Sequence, residues 1–234
     1  MKKIIITAIA TILLTSSAAF AGSFQVGAKV SSAFVDASGT EKTTSGTVTG
    51  GAVNTNNAVA ENKWVTIPSV YGEYSFDDAS WAGEGNGITL GINYTFGSAD
   101  VSDQVKSRAD SAEDAAGSGS SGNVTYTAQA ELENYIGYYI ELPLYQSFYV
   151  KAGVSQIDVV TQEDADHEGS YGDATLDGVD VGFGFKGTAG SNYVWKVAYE
   201  QTNWDTLNLT STTSNTITAD IDTKEIALSL GYKF

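Results

Sequence analysis

The stretch Ile226-Ala-Leu-Ser-Leu-Gly-Tyr-Lys-Phe234 decides the fold. Apolar side chains occupy every second position from Ile226 to Phe234, and small or polar residues stand between them. A period of two puts alternate side chains on opposite faces of a β-strand. The stretch therefore predicts a strand with one apolar face and one polar face, which ends on an aromatic residue.

The same alternation occurs seven more times in the chain, and helical periodicity is weak beyond the first residues. We predict an all-β fold built from eight strands. These cover Ser23–Val35, Trp64–Phe76, Asn86–Gly97, Asn123–Leu142, Ser147–Thr161, Leu176–Thr188, Asn192–Trp204 and Thr218–Phe234.

The connections between these strands alternate in length. Short turns cover residues 77–85, 143–146 and 189–191, whereas long polar segments cover 36–63, 98–122, 162–175 and 205–217. Short turns at one end and long loops at the other are typical of an outer-membrane barrel with an even number of antiparallel strands.

The N-terminus has the three parts of a signal peptide. Lys2 and Lys3 precede an apolar run over residues 4–14, and Ala19-Phe20-Ala21 offers a small-x-small cleavage site. We expect residues 1–21 to be removed and residues 22–234 to form one barrel domain. Beyond Gly22 no apolar stretch is long enough for a transmembrane helix, so only β-strands are left to cross a bilayer.

The C-terminal stretch resembles the last strand of small outer-membrane β-barrels. Ile140-Glu-Leu-Pro-Leu144, running into Phe148-Tyr-Val-Lys-Ala-Gly153, is similar to a periplasmic turn of the outer-membrane protein A transmembrane domain and the opacity-type barrels. The resemblance implies an eight-stranded antiparallel transmembrane up-and-down β-barrel, exported through the periplasm to a bacterial outer membrane. It also implies that the barrel-assembly machinery recognises the last strand through Tyr232 and Phe234.

In such a barrel the apolar face meets outer-membrane lipid and the other face lines the lumen. The alternation puts five lysines and seven acids on the lumen face: Lys29, Lys151, Lys186, Lys196 and Lys233, with Glu73, Glu131, Glu133, Glu141, Asp180, Glu200 and Glu225. Charges in a narrow lumen are costly unless they are paired, and side chains nearly fill the interior of eight-stranded barrels. We predict a salt-bridged lumen; the alternative is a small porin-like passive channel for polar or cationic solutes.

Charge and composition narrow the function. The formal net charge of −16 argues against a nucleic-acid partner, and the absence of cysteine excludes disulfides and thiolate metal sites. The acidic run at residues 162–168 is either a solvated loop or a weak site for divalent cations. It contains His167, the only histidine, and no catalytic constellation surrounds it in the sequence.

We therefore expect no catalytic, metal or cofactor site. The function predicted is that of a non-enzymatic outer-membrane barrel with a structural or surface-interaction role and long acidic external loops. A soluble secreted β-protein that binds a ligand is a third alternative.

Overall fold

A computed structural model describes residues 22–42, 56–76, 87–101, 106–111, 123–163, 170–212 and 215–234. Within these ranges no helix is long and apolar enough to cross a membrane. The predicted signal peptide, residues 1–21, lies outside the described residues. The strands are β1 (Gly22–Lys42), β2 (Asn56–Phe76), β3 (Thr89–Thr95), β4 (Ala99–Asp100), β5 (Lys106–Ser111), β6 (Asn123–Tyr145), β7 (Phe148–Glu163), β8 (Ala174–Ala189), β9 (Tyr193–Trp204), β10 (Leu207–Thr210) and β11 (Thr216–Lys233).

Eight of these strands form a closed ring in which neighbours run antiparallel. The order is β1-β2-β3-β6-β7-β8-β9-β11, and β11 pairs back onto β1. This closing pair runs from Gln25 opposite Lys233 to Lys42 opposite Thr216, so the sheet has no open edge there. The predicted eight-stranded up-and-down β-barrel is confirmed.

We call the two ends of the barrel the turn end and the loop end. The turn end holds both chain ends of the barrel, the tight turn at Gln146–Ser147 and the turn between β8 and β9. At the loop end the strands extend further than the sequence predicted, since β1 and β2 stay paired up to Lys42 opposite Asn56. Three additional short strands also lie there: β4 and β5 pair with β6, and β10 pairs with β11.

The outer face of the turn-end half is an apolar band. On β11 it runs from Ile226 to Phe234, within the roughly 9–11 residues that a tilted transmembrane strand needs. Aromatic side chains gather near the turn end, where Tyr232 packs edge-on against both Tyr193 and Phe234. The band matches the lipid face that the alternation predicted.

The polarity of both faces reverses in the loop-end half. On β7 the outward residues change from Val154 to Gln156 and Asp158, while the inward residues change from Lys151 to Ile157 and Val159. The apolar pattern of this strand becomes irregular after Ser155 for this reason. Its pairing with β8 stays in unbroken register up to Val159 opposite Ala174, so no bulge interrupts that pair.

Inward apolar residues fill the interior of the loop-end half. We call this group the apolar plug: Val35, Leu132, Ile157, Val159, Leu176, Leu207, Leu209 and Ile221 are all buried and in mutual contact. The plug departs from the polar lumen face that the alternation predicted along the whole length of each strand.

A β-bulge in β6 changes which residues face the lumen. Between Glu133 and Ile136 this strand has one residue more than its partner, which runs from Asp158 to Gln156. Asn134 lies within the bulge, and its backbone φ of 53° is in the left-handed region. The bulge therefore turns Leu132 into the interior, although the sequence placed it on the lipid face.

Candidate functional site

The interior of the turn-end half brings together eight of the twelve predicted lumen residues. Four lysines and four glutamates form ion pairs there, so their formal charges cancel. We call these residues the lumen network: Lys29, Lys151, Lys186, Lys196, Glu73, Glu141, Glu200 and Glu225.

One half of the lumen network is centred on Lys196. Its ammonium group, on β9, is ion-paired with Glu73 on β2 and lies 2.7 Å from the carboxylate of Glu141 on β6. Lys186 approaches the other oxygen of Glu141 to 3.5 Å. All four side chains are largely buried, so solvent screens these charges little.

The other half is centred on Glu200, which accepts hydrogen bonds from two lysines. Lys151 donates at 2.7 Å and Lys29 at 3.3 Å, and Lys29 also reaches Glu225 at 2.5 Å. The four residues come from β1, β7, β9 and β11, so this half of the network ties distant parts of the wall together across the lumen.

Tyr139 joins the two halves. Its hydroxyl donates a hydrogen bond of 2.6 Å to Glu73, and the ammonium group of Lys151 lies 4.0 Å from the centre of its ring. Contacts of this kind between a cation and an aromatic face gain strength when they are shielded from water. Tyr71 and Tyr149 also face Lys196, with ring centres 5.4 and 5.7 Å from its ammonium group.

Two further predicted lumen residues lie inside the barrel without joining an ion pair among the described residues. Asp180 is buried and accepts hydrogen bonds from Ser155 at 3.1 Å and Thr202 at 2.6 Å. Lys233 follows the inward phase of β11 but lies half-buried at the turn end.

The prediction that Glu131 and Glu133 line the lumen is wrong. Alternation from the buried Leu132 puts both on the outer side of β6, and Glu133 stands opposite Asp158 on the outward phase of β7. The physical reason is the bulge at Asn134, because one extra residue exchanges the faces of every residue beyond it.

The three interior tyrosines were missed as members of the network. Tyr71 lies two positions before Glu73, and Tyr139 two positions before Glu141, so each tyrosine shares a strand face with its glutamate. This spacing could have identified both tyrosines from the sequence. His167 and most of the acidic run at 162–168 lie outside the described residues.

Little free space remains within the lumen network. A cavity of ≈ 20 Å³ lies among its side chains and reaches Tyr149 and Ser229. A cavity needs about 10–15 Å³ to hold one water molecule, so this space suits a single water. One carboxylate oxygen of Glu141 has no hydrogen-bond partner among the described residues, and it forms an ion pair with Lys186 at 3.5 Å.

No protein-family model matches the chain, and no curated protein matches it. Solved structures are similar to it. Ail, the attachment invasion locus protein of Yersinia pestis, is 12% identical, with 91% of this chain and 97% of that chain covered and a TM-score of 0.40.

The outer membrane protein OprG from Pseudomonas aeruginosa is 13% identical (92% and 97% covered, TM-score 0.41), and the outer membrane protease OmpT from Escherichia coli is 11% identical (93% and 99% covered, TM-score 0.39). The likeness is one of fold. Identities and scores this low carry no argument about activity, and the barrel itself is established by its closed strand pairing.

Proposed function

We propose that this protein is a non-enzymatic β-barrel of a bacterial outer membrane, with a structural or surface-interaction role and a closed lumen. The observation that carries the proposal is the distribution of polarity in the turn-end half. Its outer face is apolar and exposed, whereas charged side chains are buried inside. A soluble barrel has the opposite arrangement, since burial of charge and exposure of apolar surface both cost free energy in water.

Two obstacles in series support the closed lumen. The lumen network occupies the turn-end half, and the apolar plug occupies the loop-end half. A hydrated ion would have to break buried ion pairs and then pass the apolar plug. Both steps are unfavourable, and this favours a structural interior over the porin-like channel.

The last strand supports a role for Tyr232 and Phe234 in barrel assembly. The backbone N–H of Phe234 donates to the carbonyl of Phe24 at 2.9 Å, and the two rings stack with centres 6.2 Å apart. Phe234 is 71% exposed, so it is accessible to the assembly machinery and to lipid. Weak binding of divalent cations by the external acidic residues remains part of the proposal.

Fractionation of cells that express the full chain tests the membrane location. We expect the protein in the outer membrane, with a gel mobility that changes on heating, and we expect Gly22 as its first residue by mass spectrometry. Recovery from the soluble periplasm contradicts the proposal, and an intact Met1 contradicts the predicted cleavage.

Planar bilayers test the closed lumen. The purified barrel is expected to conduct rarely and weakly, because the network and the plug obstruct the same path. Large, steady, cation-selective currents would show the channel function instead. Cleavage of a peptide library by the purified barrel, abolished in His167→Ala, would overturn the non-enzymatic part of the proposal.

A further inference from the structure

The barrel wall has a seam between β2 and the segment that follows β3. Strand β3 pairs with β2 only from Ser75 up to Ser69, and one more backbone hydrogen bond joins the Phe96 N–H to the Pro68 carbonyl. Beyond that point the chain turns away at Gly97, whose φ is +86°, and β4 and β5 pair with β6 instead.

Residues 64–67 of β2 therefore have no strand partner on their β3 side among the described residues. The hydroxyl pair Ser69–Thr95 closes the seam at its lower end, and the ion pair Lys63–Asp100 at 3.4 Å crosses it further up. Lys63 lies six positions along β2 from Ser69, so these two points are roughly 20 Å apart along the strand.

A cavity of ≈ 80 Å³ lies directly behind this seam. Its outer rim consists of Thr66, Ile67 and Pro68 on one side and Phe96, Gly97, Ser98 and Ala99 on the other. Its inner wall includes Val35, Leu132 and Ile157 of the apolar plug. The cavity therefore connects the outer surface of the barrel with the boundary between the plug and the lumen network.

Two buried polar atoms on the cavity wall have no hydrogen-bond partner among the described residues. They are the side-chain oxygen of Asn93, a residue that is 2% exposed, and the indole N–H of Trp204. An unsatisfied buried polar atom costs about 1–3 kcal/mol, so both atoms favour a guest that supplies the missing partners. A hydroxyl group supplies a donor and an acceptor on one atom.

Charge on the cavity wall argues for a neutral guest. Lys29 is already paired with Glu225 and Glu200, and Glu133 also reaches the rim. An anionic headgroup would meet carboxylates whose nearest lysine is engaged, and a cationic one at the inner end of the cavity would have to displace Lys29.

The seam opens at the edge of the apolar band, next to Tyr94 and Phe96, whose rings pack edge-on 5.2 Å apart. Trp64, on the outer face of β2 beside the seam, packs against Phe34 with ring centres 5.2 Å apart. Aromatic side chains gather at the boundary between lipid and water. An amphiphile at this height has its headgroup level with the seam and its aliphatic tail along the apolar band.

We propose that the seam binds a neutral single-chain aliphatic alcohol. Its hydroxyl enters the cavity between Asn93 and Trp204, and its tail leaves past Ile67 and Phe96 onto the lipid-facing surface. The cavity is smaller than the engineered one of about 150 Å³ that binds benzene, so it admits a headgroup and not a whole ligand. The site goes beyond the proposed structural role, and it does not require a conducting lumen.

Nuclear magnetic resonance of the ¹⁵N-labelled barrel in detergent micelles tests this site with decan-1-ol as the probe. The indole N–H signal of Trp204, assigned by its loss in Trp204→Phe, is expected to shift and to saturate. The signal of Trp195, which lies on the lipid face of β9, serves as the control for unspecific partitioning. Decane is expected to leave the Trp204 signal unmoved, and decanoate to bind at least about tenfold more weakly.

Two variants separate the seam from the rest of the surface. Ser98→Trp adds bulk to the rim and is expected to weaken decan-1-ol binding by about tenfold or more, whereas Val181→Trp, on the outer face of β8 across the barrel from the seam, leaves it unchanged. Asn93→Leu removes the buried acceptor and is expected to weaken binding by about tenfold. If Asn93→Leu does not fold, the two tryptophan variants decide.

Three outcomes overturn the proposal. The first is a Trp204 signal that responds to no probe, which means that the cavity holds water only. The second is an equal response to decane or decanoate. The third is a shift that never saturates and matches that of Trp195.

Discussion

Replacement of Lys196 by methionine is the sharpest test of the lumen network. Methionine keeps most of the volume of lysine but removes the cation that contacts both Glu73 and Glu141. Glu73 then keeps only the hydroxyl of Tyr139, and Glu141 keeps Lys186 at 3.5 Å. Two carboxylates are left with one lysine in a buried site.

Loss of one partner from a buried ion pair typically costs about 3–5 kcal/mol, because the other charge stays buried without compensation. Lys196 is 5% exposed, so water compensates little of this loss. We expect the free energy of unfolding to fall by that amount, which corresponds to roughly two to four powers of ten in the folding equilibrium.

Urea titration of the barrel in lipid vesicles, followed by tryptophan fluorescence, measures this difference. Lys224→Met, an exposed lysine of β11, is the matched control and is expected to change the free energy by less than about 0.5 kcal/mol. Adding Glu73→Gln to Lys196→Met restores the charge balance and should recover at least about 1 kcal/mol. If Lys196→Met is as stable as Lys224→Met, the buried pairs do not hold the barrel together and the reasoning fails.

Three further changes test other parts of the barrel. Tyr139→Phe removes the hydroxyl that bonds to a buried carboxylate but keeps the ring, and should lower the free energy of unfolding by about 1.5–3 kcal/mol in the same titration. Leu176→Ala, in the apolar plug, should cost about 2–5 kcal/mol, and clearly more than Leu228→Ala, whose side chain faces outward and leaves no cavity; equal losses would show that the plug is not packed. Deletion of Phe234 should lower the yield of heat-modifiable barrel in the outer membrane, because it removes the contact with Phe24 at the turn end of the pair between the first and last strands. An unchanged yield would refute its role in assembly.

The sequence predicts the barrel well where the alternation is strict. On β11 the apolar and polar phases hold from Ile226 to Phe234, and the structure places every one of these residues as the alternation requires. On β6 the prediction fails at Asn134, because one inserted residue exchanges the two faces of the strand. The alternation of polar and apolar residues in the sequence continues beyond Asn134 and gives no sign of this exchange. Asn tolerates the left-handed region better than most residues, so Asn134 is the only local cue, and a weak one.

The membership of the lumen network is largely readable from the sequence, but its pairing is not. Alternation puts Lys196 and Glu73 on the lumen face, yet they belong to β9 and β2, which are not neighbours in the ring. Their contact depends on the width of the lumen and the stagger of the strands, which are properties of the closed barrel. Lys186 and Lys196 stand directly opposite each other as like charges, and the arrangement is tolerable only because Glu141 lies within reach of both.

The reversal of polarity along single strands fixes how deep the barrel sits in a bilayer. On β8 the outward residues are apolar from Phe185 to Val179 and become polar at Asp177, while the inward residues change from Asp180 to Leu176 within the same few positions. On the turn-end side of this level, the strand presents apolar residues to lipid outside and charged residues to the lumen network inside. On the loop-end side, it presents polar residues to water outside and apolar residues to the plug inside. A shift of the barrel toward the loop end would bury Asp158 and Asp177 in lipid, and a shift the other way would expose Ile226 and Val179 to water. Both displacements cost free energy. The polarity of the two faces of a single strand therefore determines the depth of the barrel in the bilayer.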